Sequence, residues 1–250
     1  VKTKGVASRR RKRSTARRLR PFWIPLSLVG ILAVAAVTFA VLYPGFDPKS
    51  VVASGNRVVP SSEIVRTAGV NMGANMWLQN GRSIGKRVEA IPYIDVARVH
   101  RFPPATVVIS VTERVPYAVV VSDARSVLVD RHLRVLAPQY DATTLPQFML
   151  PPGVALDPGT FVTRHDLSAM ASDYDAMIAA HVVPLQLEYD KLGGLVATMR
   201  GGVKILLGDD EDLTKKLSLV DPILAQVVRK ERRVSEVDLR APSTPVLVYR

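Results

Sequence analysis

The feature that most constrains this chain is an uncharged run of 22 residues, 22–43 (FWIPLSLVGILAVAAVTFAVLY), directly behind a tail rich in base. As an α-helix it is roughly 33 Å long, close to the ~30 Å hydrocarbon thickness of a bilayer. Trp23 near one end and Tyr43 at the other suit the two headgroup interfaces. Pro25 falls in the first turn of such a helix, where a missing N–H does little harm, and Pro44 stops it. A cleaved signal peptide has an apolar region of about 7–15 residues followed by a small-residue cleavage site. Here the run is longer, and the small-x-small sequence Ala33-Val34-Ala35 lies inside it. A helix buried in a soluble core leaves the basic flank unexplained. A membrane-spanning anchor over 22–43 is therefore expected.

The tail, 1–21, carries ten Lys or Arg and no acid, with Arg17, Arg18 and Arg20 flanking the apolar run. Basic flanks are retained on the cytoplasmic side, which predicts an N-terminus inside and residues 45–250 outside. The net charge of +12 sits almost entirely in this tail, so the remainder is close to neutral. A nucleic-acid arm would call for interleaved aromatics or a recognisable motif, and the tail has neither. With 48% hydrophobic and 22% charged residues, the rest is a globular composition. The absence of cysteine excludes disulfides, thiolate zinc sites and cysteine nucleophiles. Arg outnumbers Lys 24 to 10, a bias of high-GC genomes that points to an actinobacterial source.

Beyond the anchor, residues 50–54 (SVVAS) read as a short strand ending in a Gly55-Asn56 turn. Ser61 or Ser62 is placed to cap a helix opening at Glu63, with Ile64, Val65 and Ala68 on its apolar face and Gly69 ending it. A second helix is predicted over 83–90, with Ile84, Val88 and Ile91 at helical spacing and Pro92 closing it. Residues 94–99 and 106–112 alternate apolar and polar positions as half-buried strands do, around a Phe102-Pro103-Pro104 turn. The order β-α-α-β-β describes a small α+β unit with helices on one sheet face.

Residues 114–250 read as mostly strands, at 117–121, 126–129, 185–189, 195–199, 203–207, 235–239 and 246–249. Gly193-Gly194 and Gly201-Gly202 punctuate hairpins. Helical periodicity covers 166–180 and 213–228, although Asp221-Pro222 is expected to kink or restart the second helix. The proline-rich segment 138–158 reads as a surface connection. The fold class is thus α+β: a single N-terminal spanning helix, a β-α-α-β-β unit over 46–114, and a β-rich unit with two helices over 115–250.

No catalytic or cofactor motif stands out. His100, His132, His165 and His181 lie far apart in sequence and form no metal-ligand spacing. There is no G-x-S-x-G elbow, P-loop or G-x-G-x-x-G. Asp209-Asp210-Glu211-Asp212 lacks the alternating carboxylates and glycine of a calcium loop and immediately precedes a helix, where acids favour the positive end and Asp212 is placed as a cap. Asp123, Asp130 and Asp141 could join a catalytic group only through the fold. The basic cluster 229–233 sits where cations complement a helix C-terminus, with contact to an acidic partner as the functional alternative. No cofactor and no metal are expected.

Several of these pieces resemble one known family. Ser54-Gly55-Asn56, Glu63-Ile64, Ala68-Gly69-Val70, Ile91-Pro92 and Arg101-Phe102-Pro103-Pro104 are similar to a POTRA domain of the FtsQ/DivIB bacterial cell-division type. Glu113-Arg114-Val115-Pro116-Tyr117-Ala118 resembles that family's junction. VLVD at 127–130, VKILLG at 203–208, Lys216-Leu217 and Val237-Asp238-Leu239-Arg240 follow in the order of its β-domain. Leu133 departs from the pattern, since the family often has a turn glycine there. The resemblance implies a non-enzymatic scaffold of the division septum. It also implies direct contact with FtsB, itself paired with FtsL, and through them with the FtsW/FtsI synthase pair.

The last strand is the expected site. Pro245 cannot donate to a ladder, so it belongs at a strand start or a sheet edge, and an apolar edge invites a partner strand. The resemblance implies that Arg240, Ala241, Ser243 and Tyr249 match partner-contact positions, with Val246, Leu247 and Val248 forming the strand between them. Two rival classes remain at this level. An anchored extracytoplasmic cell-wall enzyme would need convergent acids or a nucleophile in a cleft. An anchored sensor would signal through its cytoplasmic tail.

Overall fold

The computed structural model describes residues 20–139, 144–229 and 233–249. Arg17, Arg18 and Asp141 lie outside these residues, as does most of the 229–233 cluster, and of Arg20 only the backbone is described.

The first helix, α1, spans Arg20–Leu42. Its window Pro25–Leu42 is apolar all round and wholly uncovered by protein, the pattern of a helix made for lipid rather than for a core. Pro25 is not in the first turn as expected. The helix already includes Arg20, which places Pro25 in its interior, where it removes the bond residue 25 would donate to Pro21. Pro44–Phe46 forms a short 3₁₀ turn after the helix.

The unit that follows has β1 (Ser50–Ser54), α2 (Ser61–Ala68), α3 (Gly81–Glu89), β2 (Ile94–Phe102) and β3 (Thr106–Glu113). The sheet order is β1-β3-β2, with β1 parallel and β2 antiparallel to β3. Ile64 and Ala68 from α2, Ile84 and Val88 from α3, and Ile94, Ile109 and Val111 from the sheet form its core. Gly85 sits where α3 crosses β2, and a Cβ there would lie 2.8 Å from the Ala97 carbonyl oxygen, so the close approach requires glycine. Gly69 ends α2 in the left-handed conformation, as expected.

The starts of both helices depart from the sequence reading. Neither Ser61 nor Ser62 caps α2. Pro60 takes the cap position, its carbonyl accepting from Glu63 and Ile64, while the Ser61 hydroxyl bonds the Asn56 side chain. The helix α3 begins two residues before the expected Ser83, because Asn80 Oδ1 accepts the N–H groups of Arg82 and Ser83.

The second unit is one nine-stranded sheet in the order β12-β11-β10-β9-β8-β7-β4-β5-β6. Its strands are β4 (Ala118–Ser122), β5 (Arg125–Val129), β6 (Val135–Pro138), β7 (Gln147–Met149), β8 (Gln186–Tyr189), β9 (Leu195–Thr198), β10 (Lys204–Gly208), β11 (Val234–Asp238) and β12 (Val246–Tyr249). The helices α4 (His165–Ala179) and α5 (Leu213–Arg229) share one core with it, in which Leu167, Met170, Met177, Leu217 and Val220 meet Phe148, Leu187 and Ile205.

Two readings of this unit need correction. The segment 138–158 is not merely a surface connection, since it contains β7, which runs parallel to both β4 and β8 near the centre of the sheet. The helix α5 neither breaks nor restarts at Pro222 but continues through it, with Asp221 and Pro222 on the exposed side. The turn at 131–134 forms without glycine. Leu133 adopts φ 61°, and Asp130 holds the turn by accepting the N–H groups of His132 and Arg134, both at 2.9 Å.

Asp130 also ties the two units together. It shares Arg114 with Asp95 of β2, which lies 2.7 Å from Arg114 Nη2. Arg134 reaches back to the Glu89 carbonyl at 3.0 Å. Burial lowers the Arg134 guanidinium below its usual range, as does the neighbouring Arg114 charge.

Candidate partner-binding edge

At one edge of the large sheet, β11 runs parallel to β10 and β12 returns antiparallel to it, Val237 opposite Leu247 and Asp238 opposite Val246. A register shift between Val234 and Glu236 bulges β11, and the Ser235 hydroxyl donates to the Val248 carbonyl at 3.1 Å. Leu247 turns inward and packs on the core, whereas Val246, Val248 and Tyr249 are 57, 45 and 44% exposed. Alternation along the strand turns Leu247 inward and Val246 and Val248 outward, while Tyr249 is exposed at the strand's end.

Arg240, Ala241 and Ser243 occupy the exposed turn that carries β11 into β12. Tyr249 pairs with Val234 at the other end of the strand, so the expected site residues line one edge rather than converge in a pocket. Arg240 is positioned by Asp238, its Nε at 3.0 Å and its Nη2 at 2.6 Å from the carboxylate. This pair holds the Asp238 carboxyl below the usual carboxylate range and raises the Arg240 guanidinium. Gly208 at φ 72° lets Arg240 lie against β10, since a Cβ there would meet Arg240 Cγ at 3.0 Å. Sequence reasoning missed Asp238 and Gly208 as positioning residues. The spacing Asp-x-Arg was a readable signal for the first, but nothing in the sequence pointed to the second.

A cleft of about 840 Å³ lies between α4 and the ends of β8, β9 and β10, and several acids line it. Four of these carboxylates are engaged. Asp166 is bound by Arg164 at 2.6 Å, and Asp209 by Lys216 Nζ at 2.9 Å. Asp190 accepts the N–H groups of Leu192 and Gly194, both at 2.8 Å. Burial pushes the Asp173 carboxyl up despite a bond from the Tyr189 hydroxyl. Asp212 takes the position before α5, its carbonyl accepting from Lys216 N–H. Among the described residues, no three His, Asp or Glu side chains are placed to hold a metal ion.

An apolar helix of spanning length, a β-α-α-β-β unit and a β-rich unit whose open sheet ends on β12 define a class: anchored POTRA-containing proteins. Residues 46–114 match the POTRA domain, FtsQ-type, and residues 118–240 match Cell division protein FtsQ/DivIB, C-terminal. The chain is 26% identical over 200 residues to Cell division protein FtsQ of Mycolicibacterium smegmatis, covering 80% of this chain and 58% of that protein. It is 23% identical over 206 residues to Cell division protein DivIB of Clostridium tetani, covering 78% and 76%. With Cell division protein FtsQ of Syntrophotalea carbinolica the identity is 25% over 220 residues, covering 85% and 78%.

The chain belongs to the FtsQ/DivIB family of cell-division proteins. The family match ends at Arg240, so Ala241, Ser243 and the whole of β12 follow the matched region.

Proposed function

We propose that the chain is a non-enzymatic scaffold of the divisome that links early and late division proteins by capturing a partner strand on β12. The expected partner is the extracytoplasmic segment of FtsB, paired with FtsL. Through them the scaffold would support the FtsW/FtsI pair in septal peptidoglycan synthesis. In this reading the N-terminus is cytoplasmic and the two folded units stand outside the cell membrane at the septum.

The observation that carries the reading is the position of β12 as a terminal strand of the nine-stranded sheet, with Val246 and Val248 exposed. A strand added there would take affinity from backbone hydrogen bonds and specificity from Arg240 at one end and Tyr249 at the other. The engaged carboxylates of the cleft argue against the anchored-enzyme alternative.

The test is a titration of the full chain in lipid nanodiscs with the same organism's FtsB–FtsL extracytoplasmic pair, read by affinity and by amide hydrogen exchange. Saturable binding with new protection over 246–249 is expected. Arg240→Ala with Tyr249→Ala should weaken it tenfold or more, about 1.4 kcal/mol per decade. Protection confined to other strands would reject the edge, and absence of binding would reject the partner.

A further inference from the structure

The loop between α2 and α3 is fastened to the end of α1. Asn75 is buried, and its Nδ2 donates to the carbonyls of Ala40 at 2.8 Å and Val41 at 3.1 Å. These belong to the last turn of α1, whose carbonyls find no intrahelical N–H. Met76 N–H donates to the Phe46 carbonyl at 2.9 Å, just past the helix.

The loop is also closed on itself. Gln79 Nε2 donates to the carbonyls of Asn71 at 2.7 Å and Ala74 at 2.8 Å, and its Oε1 accepts the Asn71 N–H. Arg101 of β2 donates to the carbonyls of Met76 and Gln79, at 2.8 and 2.7 Å, and lies over the Trp77 ring at 6.0 Å.

The loop buries Met76 but, with much of its polar surface turned inward, leaves three other large apolar side chains outside. Met72, Trp77 and Leu78 are 47, 51 and 65% exposed, and Phe102, next to Arg101, is 54% exposed. A single exposed hydrophobic residue needs no explanation, but four at one end of a small unit do. A loop bonded to Ala40 and Val41 lies within about one helical turn, ~5 Å, of the end of the spanning helix. That is the depth at which Trp and other amphipathic rings settle in a bilayer.

The local charge fits the same surface. No acid occurs in residues 64–88, which carry Arg66, Arg82, Lys86 and Arg87, and Asp47 is the one acid in residues 44–62. Basic side chains beside a bilayer are attracted to anionic headgroups.

We propose that Met72, Trp77, Leu78 and Phe102 form a membrane-seating platform, by which this end of the POTRA domain rests in the headgroup layer of an anionic bilayer where α1 emerges, clamped by Asn75. The clamp fixes the height and tilt of the domain and gives everything downstream a set direction from the membrane. The inference rests on α1 crossing a bilayer and on no partner protein.

Trp23 and Trp77 are the only tryptophans, so Trp23→Phe makes Trp77 the sole indole reporter. The full-length Trp23→Phe chain is placed in phosphatidylglycerol-containing vesicles. Trp77 emission is then followed with lipids brominated at shallow or deep acyl positions and with aqueous iodide. Shallow-brominated lipid should quench Trp77 several-fold more than deep-brominated lipid, with little quenching by iodide. Asn75→Ala in the same background should restore iodide access. Full iodide quenching without lipid quenching would overturn the platform. Shielding from both would overturn it as well, by showing that protein covers the patch. Identical quenching in Trp23→Phe with and without Asn75→Ala would overturn the clamp.

Discussion

Glu113 shows how one carboxylate can hold a junction between strand and loop. At the end of β3 it accepts the N–H groups of Val58 at 2.9 Å and Val59 at 2.8 Å, closing the β1–α2 loop. Burial works against its ionisation, but the backbone donors of Val59, Val58 and Arg57 outweigh burial and hold the carboxyl below its usual range. A carboxyl depressed in the native state adds stability above its unfolded pKa, about 4.3, and loses that contribution as pH falls through the native value. Glu113→Gln is therefore expected to ease opening of residues 56–60 by about 1 kcal/mol at neutral pH, because a neutral amide is the weaker acceptor. The difference should close under acid. Exchange rates of the Val58 and Val59 amides, compared at both pH values, measure it, and equal protection at neutral pH would contradict the assignment. Leu133 was legible at the same scale as an oddity. Its place in a turn where the family often has glycine stood out in the sequence, but its solution, a left-handed leucine held by Asp130, depends on a hydrogen-bonded turn that one-dimensional pattern does not show.

Among elements, β7 shows where sequence reading loses its grip. Phe148, at its centre, is fully buried and meets Tyr117 and Tyr174 edge-on, with ring centroids 6.2 and 5.8 Å away. Phe148→Ala should cost about 3–5 kcal/mol through lost burial and the cavity left behind. Gln147→Ala, on the opposite face of the strand, should change stability by less than about 0.5 kcal/mol. Thermal unfolding followed by near-ultraviolet circular dichroism separates the two, and similar melting shifts would show that β7 is not an organising strand. The three residues of β7 are too few to display a period of two, and the strand is defined by distant parallel neighbours. By contrast, β2 and β3 were legible because eight or nine residues of alternation write the buried face into the sequence. The start of α2 was misread because Ser61 and Ser62 look better suited as caps than Pro60, and that of α3 because the cap at Asn80 lies ahead of the apolar spacing that marked the helix. The site was legible in part. Pro245 and the apolar run behind it marked an edge, yet only sheet order places Arg240 and Tyr249 at its two ends.

For the whole molecule, orientation across the membrane determines whether the edge strand and the platform can work together. The helix α1 presents apolar side chains in every direction, while the basic residues gather ahead of it and the folded units follow. In the proposed orientation, with the basic flank retained in the cytoplasm, β12 would stand outside, where it could meet another anchored protein's extracytoplasmic segment. The opposite orientation would turn the same edge toward the cytoplasm. The absence of cysteine makes the choice directly measurable, because each introduced thiol is the only one in the chain. Ser14→Cys marks the tail and Ser243→Cys the exposed turn before β12. On intact cells, a membrane-impermeant maleimide should label Ser243→Cys and reach Ser14→Cys only after permeabilisation. The reverse pattern would reject strand capture outside the cell while leaving the seating platform intact, since Asn75 clamps the domain to whichever leaflet α1 leaves. Labelling at both positions before permeabilisation would mean that α1 does not span the bilayer, and both proposals would fall together.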